Sequence, residues 1–115
     1  MPTPPPGARR DLLTAVLDGG FSVDRVRVVR VELAPAQTAG AHLHPCPVVG
    51  CVLSGAIHFQ VAGEPETTLQ PGDAFFEPAN AEISRFDNAS EDHSAVFVAY
   101  YLLPPGEERL IEMLA

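Results

Sequence analysis

Turn-forming residues interrupt this chain so often that its regular elements must be short. The 115 residues include 12 Pro and 9 Gly. Clusters of these residues at 63–66, 71–73 and 104–106 separate apolar runs from one another. Long helices are disfavoured because Pro lacks a backbone N–H and Gly and Pro both favour turns. Short apolar runs between such turns predict an all-β sandwich or barrel.

Alternating residues mark the predicted strands. In Phe21–Leu33, valines nearly alternate with arginines and glutamate, which is typical of a strand with one buried face. Further strands are predicted over 48–53, 56–61, 67–70, 74–77, 83–86 and 94–103, and residues 9–17 are expected to form a short helix or strand.

The chain reads as one domain with short ends, because its length fits one domain and no internal repeat is present. We expect a Pro-rich N-terminal extension over residues 1–20, a barrel over 21–106 and a C-terminal tail over 107–115. The tail is amphipathic and is expected to form a helical turn or to pack on a neighbour.

The charge balance disfavours two classes of partner. Fifteen acidic residues stand against seven basic residues, all of them Arg, so the formal net charge is −8. A chain of this charge repels nucleic acid and anionic membrane surfaces, and no apolar run approaches the ~20 residues needed to span a bilayer. The N-terminus lacks the features of a secretory signal, and two cysteines, Cys46 and Cys51, favour free thiols in a cytoplasmic protein.

The segment 40–55 carries the most chemistry. His42 and His44 are one residue apart, with Leu43 between them. Alternate side chains of a strand point to the same face, so the pair would aim two imidazoles into one space. Imidazole is the commonest protein ligand for transition metals, and the pair therefore predicts the beginning of a metal site.

Several motifs of the chain are similar to those of the cupins. The cupin pattern G-x5-H-x-H-x3 or 4-E-x6-G is matched by His42, His44 and Gly55, whereas its acidic position falls on Val48. A second cupin pattern, G-x5-P-x-G-x2-H-x3-N, is matched at Gly72 and Pro78, and its His position falls on Ile83. The runs V-L-S-G at 52–55, L-Q-P-G-D at 69–73 and F-F-E-P at 75–78 are also cupin-like.

The resemblance to small single-domain bacterial cupins of the RmlC-like superfamily implies a jelly-roll barrel, also called a double-stranded β-helix. Cupin metal centres resemble a cage of three His and one carboxylate, but Val48 and Ile83 fill two of those four positions here. The resemblance therefore implies an incomplete two-His site that holds one divalent transition metal (Zn, Ni, Fe or Mn) weakly, or no cofactor at all.

Other residues near the motifs are candidate additional ligands. Glu82 is adjacent to Ile83, Glu77 ends a short strand, and Cys46 follows His44 by two residues, although none has the cupin spacing. Alternatively, His42 and His44 are pocket residues that bind each other, water or an anion without a metal.

Arg85 is a candidate ligand-binding residue. It shares strand parity with Ile83, so a regular strand would aim both side chains into the barrel. A buried Arg requires a partner, and an acidic ligand would supply one. We therefore expect a small, acidic molecule to bind between Arg85, His42 and His44. The alternative is that Arg85 lies near the rim and is solvated or paired with Glu77 or Asp87.

Two function classes follow from these residues and from the resemblance. The first is a small cupin whose barrel binds a small acidic molecule beside an incomplete metal site. The second is a metal-dependent cupin enzyme of the dioxygenase, isomerase or decarboxylase type, and a scaffold without any ligand is a third reading. Cupins usually cover their sheet edges by pairing, so the resemblance also implies a homodimer with extended N-terminal contacts.

Overall fold

The computed structural model describes residues 7–17 and 19–114, and these residues form nine strands and no helix. Within those two ranges there is accordingly no helix long and apolar enough to cross a bilayer. The strands are β1 (Arg25–Leu33), β2 (His42–Leu43), β3 (Val48–Ser54), β4 (Ile57–Val61), β5 (Thr67–Leu69), β6 (Ala74–Glu77), β7 (Ile83–Asn88), β8 (Ala95–Leu103) and β9 (Glu112–Met113).

The strands form two antiparallel sheets. Sheet A has the order β1-β8-β3-β6, and sheet B has the order β5-β4-β7-β2-β9. Consecutive strands alternate between the sheets over much of the chain, and the buried apolar residues of both sheets form one cluster. The structure thus confirms the expected all-β jelly-roll barrel.

The strand boundaries differ from expectation mainly at the two ends of the chain. β6 has the predicted bounds, whereas β1 begins at Arg25 rather than at Phe21. The expectation of a helix or strand over residues 9–17 is wrong, because this segment has no regular secondary structure. Residues 107–111 have no regular secondary structure, and Glu112–Met113 form β9 at the edge of sheet B, so the expected helical turn is absent from residues 107–114.

An aromatic cluster fills one part of the space between the sheets. Phe75 of β6 and Phe97 of β8 meet Phe59 and Phe86 of sheet B, with ring centroids 4.8–5.9 Å apart. Phe75 lies across Gly50 of the neighbouring strand, where a Cβ atom would come within 2.3 Å of the ring. The cluster is therefore a packed part of the core, and it leaves space beside it between the sheets.

A β-bulge interrupts the pairing of β4 with β7. Val61 faces Ile83 and Gln60 faces Arg85, so one step of β4 corresponds to two steps of β7 and Ser84 is the extra residue. A bulge of this kind exchanges the two faces of a strand for the residues that follow. In a regular strand, Ile83 and Phe86 would point to opposite faces because they are three residues apart. Both are buried, which agrees with the bulge between them.

Candidate metal centre

Three buried polar side chains converge between the sheets. The Nε2 atoms of His42 and His44 lie 3.8 Å and 2.8 Å from Oε2 of Glu77. One donor atom from each residue lies within 4.8 Å of the other two, and all three residues are buried. Two donors that share an ion at ~2.1 Å are at most about 4.2 Å apart, so both distances to Glu77 suit a common ion.

The two sheets contribute different members of this group. His42 lies on β2 and His44 follows it by two residues, whereas Glu77 is the last residue of β6 in sheet A. In the ladder of β3 and β6, Glu77 is the direct partner of Val48. The cupin-like carboxylate that is absent at Val48 is thus replaced by one on the neighbouring strand, pointing to the same face.

Backbone carbonyls fix the orientation of both imidazoles. Nδ1 of His42 donates a hydrogen bond to the carbonyl of Gly40, and Nδ1 of His44 donates to that of Leu110, each at 2.7 Å. Because a carbonyl oxygen only accepts, each Nδ1 must carry the proton. In the neutral rings, the lone pairs therefore reside on Nε2, the atom nearer to Glu77. Metal-ligating histidines are held in this way by outer hydrogen-bond partners.

The Glu77 carboxylate fits a site that receives a positive charge. Its Oε2 atom is buried and has no hydrogen-bond partner of adequate geometry among the described residues, although it lies 2.8 Å from His44 Nε2. An unpaired buried carboxylate oxygen that faces two lone pairs is costly. A proton on an imidazole or a metal cation between the three groups would remove that cost.

The pKa shifts of His42 and Glu77 also favour opposite charges on the two residues. Burial by itself would lower the pKa of His42, but the adjacent Glu77 carboxylate and the hydrogen bond to the Gly40 carbonyl outweigh it and raise the pKa. Burial by itself would raise the pKa of Glu77, but the adjacent imidazoles of His42 and His44 lower it. Glu77 is thus ionised, and the site as a whole attracts cations.

The three polar groups line one cavity of about 160 Å³. At ~30 Å³ per water molecule, this volume admits only a small ligand. The ring of Tyr101 packs edge-on against His44 at 5.6 Å, and the pKa of Tyr101 is raised by burial and then by the Glu77 charge. The remaining wall is apolar and consists of Val31, Leu33, Ala39, Val48, Phe86, Phe97, Ala99 and Ile111.

Arg85 does not join the histidines, and the expectation that it points into the barrel is wrong. Its side chain is 39% exposed and forms ion pairs with Glu66 and, at 2.9 Å, with Asp87. The physical reason is the bulge at Ser84, which turns the residues after Ile83 over to the other face. The ion pair with Asp87 agrees with the alternative that Arg85 lies near the rim of the barrel. Glu77, the other partner considered for Arg85, lies beside the two histidines instead.

The other candidate ligands occupy different positions. Glu82 is exposed. Cys46 is fully buried, but among the described residues its Sγ does not belong to the donor group. Burial, followed by the charge of Glu107, raises the pKa of the Cys46 thiol to about 11. Of the three candidate additional ligands, the structure thus brings only Glu77 to the histidines.

Comparisons with known proteins agree with the fold. The family model described as "Cupin domain" matches residues 29–101. No curated protein sequence matches the chain at a significant level. The solved structure of TT1209 from Thermus thermophilus is 31% identical and has a TM-score of 0.59, with 73% of this chain and 79% of that chain covered.

Two solved enzymes are also similar in structure. A sugar phosphate isomerase from a cupin superfamily of Silicibacter pomeroyi is 27% identical, with a TM-score of 0.59 and coverage of 76% of this chain and 55% of that one. The DMSP lyase DddQ from Ruegeria pomeroyi is 18% identical, with a TM-score of 0.65 and 76% of this chain covered. The chain spans only 42% of that lyase, whose likeness shows the fold alone.

Proposed function

The chain belongs to the cupin domain family, and from that premise we propose that it binds one divalent transition metal between His42, His44 and Glu77. The observation that carries this proposal is the buried Oε2 atom of Glu77, which faces two Nε2 atoms and has no adequate hydrogen-bond partner in the described chain. Two imidazoles and one carboxylate suit Zn, Ni, Fe or Mn. The site thus has three protein ligands rather than the two expected from sequence.

The proposed ligand of this site is a small molecule that has one metal-binding oxygen group and an apolar remainder. Three protein donors leave coordination positions open, and the cavity of about 160 Å³ adjoins all three. No Arg lies among the described residues that line the cavity, so an acidic ligand would have to bind through the metal rather than through Arg85. A small carboxylate therefore remains the proposed ligand, with the metal rather than Arg85 as the group that binds it.

A metal-dependent enzyme is the second candidate function. It is favoured by the donor set, since two His and one carboxylate also occur in metal hydrolases and non-haem iron oxygenases. The similarity to a sugar phosphate isomerase supports an enzyme without identifying the reaction. In such an enzyme, the metal would supply Lewis-acid or oxygen-activating chemistry. His42, His44 and Glu77 would hold it, and the apolar wall would limit substrate size.

Cobalt titration of the untagged protein tests the proposed site. We expect saturable binding of one Co²⁺ per chain, with visible absorption bands that report nitrogen and oxygen ligands, and we expect metal in the protein as purified. Adding propionate should change these bands, whereas the isosteric propionamide should change them less. The absence of bound metal after purification, together with no cobalt spectrum at millimolar Co²⁺, would contradict the metal proposal.

We further propose that the chain pairs with a second copy through the outer face of sheet A. Val28 and Tyr100 are direct partners on this face and are 56% and 39% exposed. The N-terminal segment leaves an open groove beside them that is lined by Leu12 and Leu13. Contiguous exposed apolar surface of this kind marks interaction sites, and the long edge strand β1 also needs cover.

Substitution at the centre of this face tests the pairing. Tyr100→Glu is expected to convert the dimer to a monomer at micromolar concentration, because a buried, unpaired carboxylate would oppose association. Light scattering after size-exclusion chromatography measures the mass. Thr68→Glu places the same charge on the outer face of sheet B and should leave the dimer intact. A monomeric parent protein would refute the proposed pairing.

We also propose that the protein is located in the cytoplasm. Cys46 and Cys51 are both free thiols in the structure, which suits a reducing compartment.

A further inference from the structure

The last described residues of the chain form a strap across one side of the metal cavity. This C-terminal strap comprises residues 107–114. Its β9 strand pairs with β2, so that Met113 faces His42 and Glu112 faces Leu43. The backbone N–H of Leu114 also donates to the carbonyl of Ala41 at 3.0 Å. The strap therefore lies directly beside the strand that carries the first metal ligand.

The strap contributes two groups to the site itself. The carbonyl of Leu110 accepts the 2.7 Å hydrogen bond from Nδ1 of His44, and the side chain of Ile111 forms part of the cavity wall. Among the described residues, this carbonyl is the one partner of His44 Nδ1. The tautomer and the ring orientation of one ligand thus depend on a segment 66 positions further along the chain.

The two ends of the strap are held with unequal strength. At its start, the Arg25 guanidinium donates to the carbonyls of Pro104 and Glu107 at 3.0 Å and 2.8 Å. Its far end has only a two-residue strand at a sheet edge, where Ile111 and Met113 are 47% and 56% exposed. Segments with few buried contacts open most readily, so the strap would open from its far end.

We propose that the strap is a gate that closes the cavity and, by closing, sets His44 for metal binding. In the closed position, Leu110 orients the imidazole and Ile111 completes the wall. When β9 separates from β2, the ring loses its hydrogen-bond partner and the cavity opens to solvent on the side of Ile111. Leu110 is thus a positioning residue. The inference rests on the proposed metal site, but its effect on His44 is defined without metal.

Separating β9 from β2 in the 115-residue chain tests the positioning role. Glu112→Pro/Leu114→Pro removes two backbone donors of the strap, including the Leu114 N–H that bonds the carbonyl of Ala41. The matched control is Glu112→Ala/Leu114→Ala, which keeps both donors. In metal-free protein, we expect the Nδ1 proton of His44 to be visible by NMR in the control and lost to solvent exchange in the proline variant. Cobalt affinity should fall about 10- to 100-fold, as for other outer-partner losses.

A reversible lock tests the opening. Leu43 and Glu112 are direct antiparallel partners, and cysteines at these positions would have a Cα separation of ~5.5 Å that suits a disulfide. The variant Leu43→Cys/Glu112→Cys is made with Cys51→Ser to remove the less buried of the two native thiols. We expect EDTA to remove Co²⁺ at least ~10-fold more slowly from the oxidised than from the reduced form of this one protein.

The outcomes separate the gate from the metal site. Equal His44 proton exchange and equal cobalt affinity in the proline variant and its alanine control would overturn the positioning role. Equal release rates in the oxidised and reduced lock would overturn the gate. If the parent chain binds no cobalt, the proposed function fails, while loss of the His44 proton in the proline variant would still support positioning by the strap.

Discussion

Replacing Glu77 with alanine is expected to abolish specific metal binding. The substitution removes one of three protein donors and the only carboxylate among them in the described chain. Cobalt affinity should therefore fall by more than the ~10–100-fold that removal of an outer hydrogen-bond partner costs. Isothermal titration with Co²⁺ and the visible spectrum of the cobalt form would measure this loss.

Two further substitutions make the Glu77 prediction specific. Glu77→Gln keeps the shape of the side chain but removes its charge, and it should lose most of the affinity because the neutral amide is a poor ligand for these metals. Glu82→Ala removes an exposed carboxylate five residues away and should bind cobalt as the parent does. Retained cobalt binding in both Glu77 variants would contradict the assignment of Glu77 as a ligand.

Replacing Ile83 with histidine is expected to raise metal affinity by at least about tenfold, which corresponds to ~1.4 kcal/mol. Ile83 on β7 is the direct cross-strand partner of His42 and is fully buried. Directly opposite Cβ atoms are ~4.5–5.5 Å apart, so the new imidazole would lie next to that of His42. It would provide a fourth protein ligand, which titration with Co²⁺ or Zn²⁺ would detect.

The Ile83→His variant should also be less stable than its parent without metal, because a buried polar ring is costly when unpaired. Added Co²⁺ should restore that loss. Ile57→His is the matched control: Ile57 is equally buried in sheet B but faces Asn88 rather than His42. It should lower stability without any gain in affinity. If the two variants bound cobalt equally well, the proposed position of Ile83 beside the site would be wrong.

The fold could be predicted because its causes are local. Gly and Pro clusters set the lengths of the strands, and alternation in Arg25–Leu33 and continuous apolar residues in Ala95–Leu103 identify two members of sheet A. The segment 9–17 has similar apolar residues but no regular structure. Its conformation depends on what packs against it, and propensity is a weak guide in that situation.

The site could be predicted only in part, because the positions of Glu77 and Arg85 depend on how distant strands pack and pair. Glu77 shares a strand face with Phe75, an obvious core residue, so the two-residue period indicated an inward carboxylate. The sequence nevertheless left Glu77 as one of three candidate additional ligands, because a charged residue at a strand end can equally be solvated. Arg85 was misplaced for a different reason: the bulge that redirects it depends on the pairing of β7 with β4, which no local pattern reveals.

His42 and His44 extend from sheet B and Glu77 extends from sheet A. An ion bound to all three would therefore cross-link the two sheets. Separation of the sheets during unfolding would then require the ion to dissociate. An ion that binds only the folded chain raises its stability by about 2.7 kcal/mol at a free concentration of 100 Kd. The melting temperature of this small domain would in that case report on the metal supply of its surroundings.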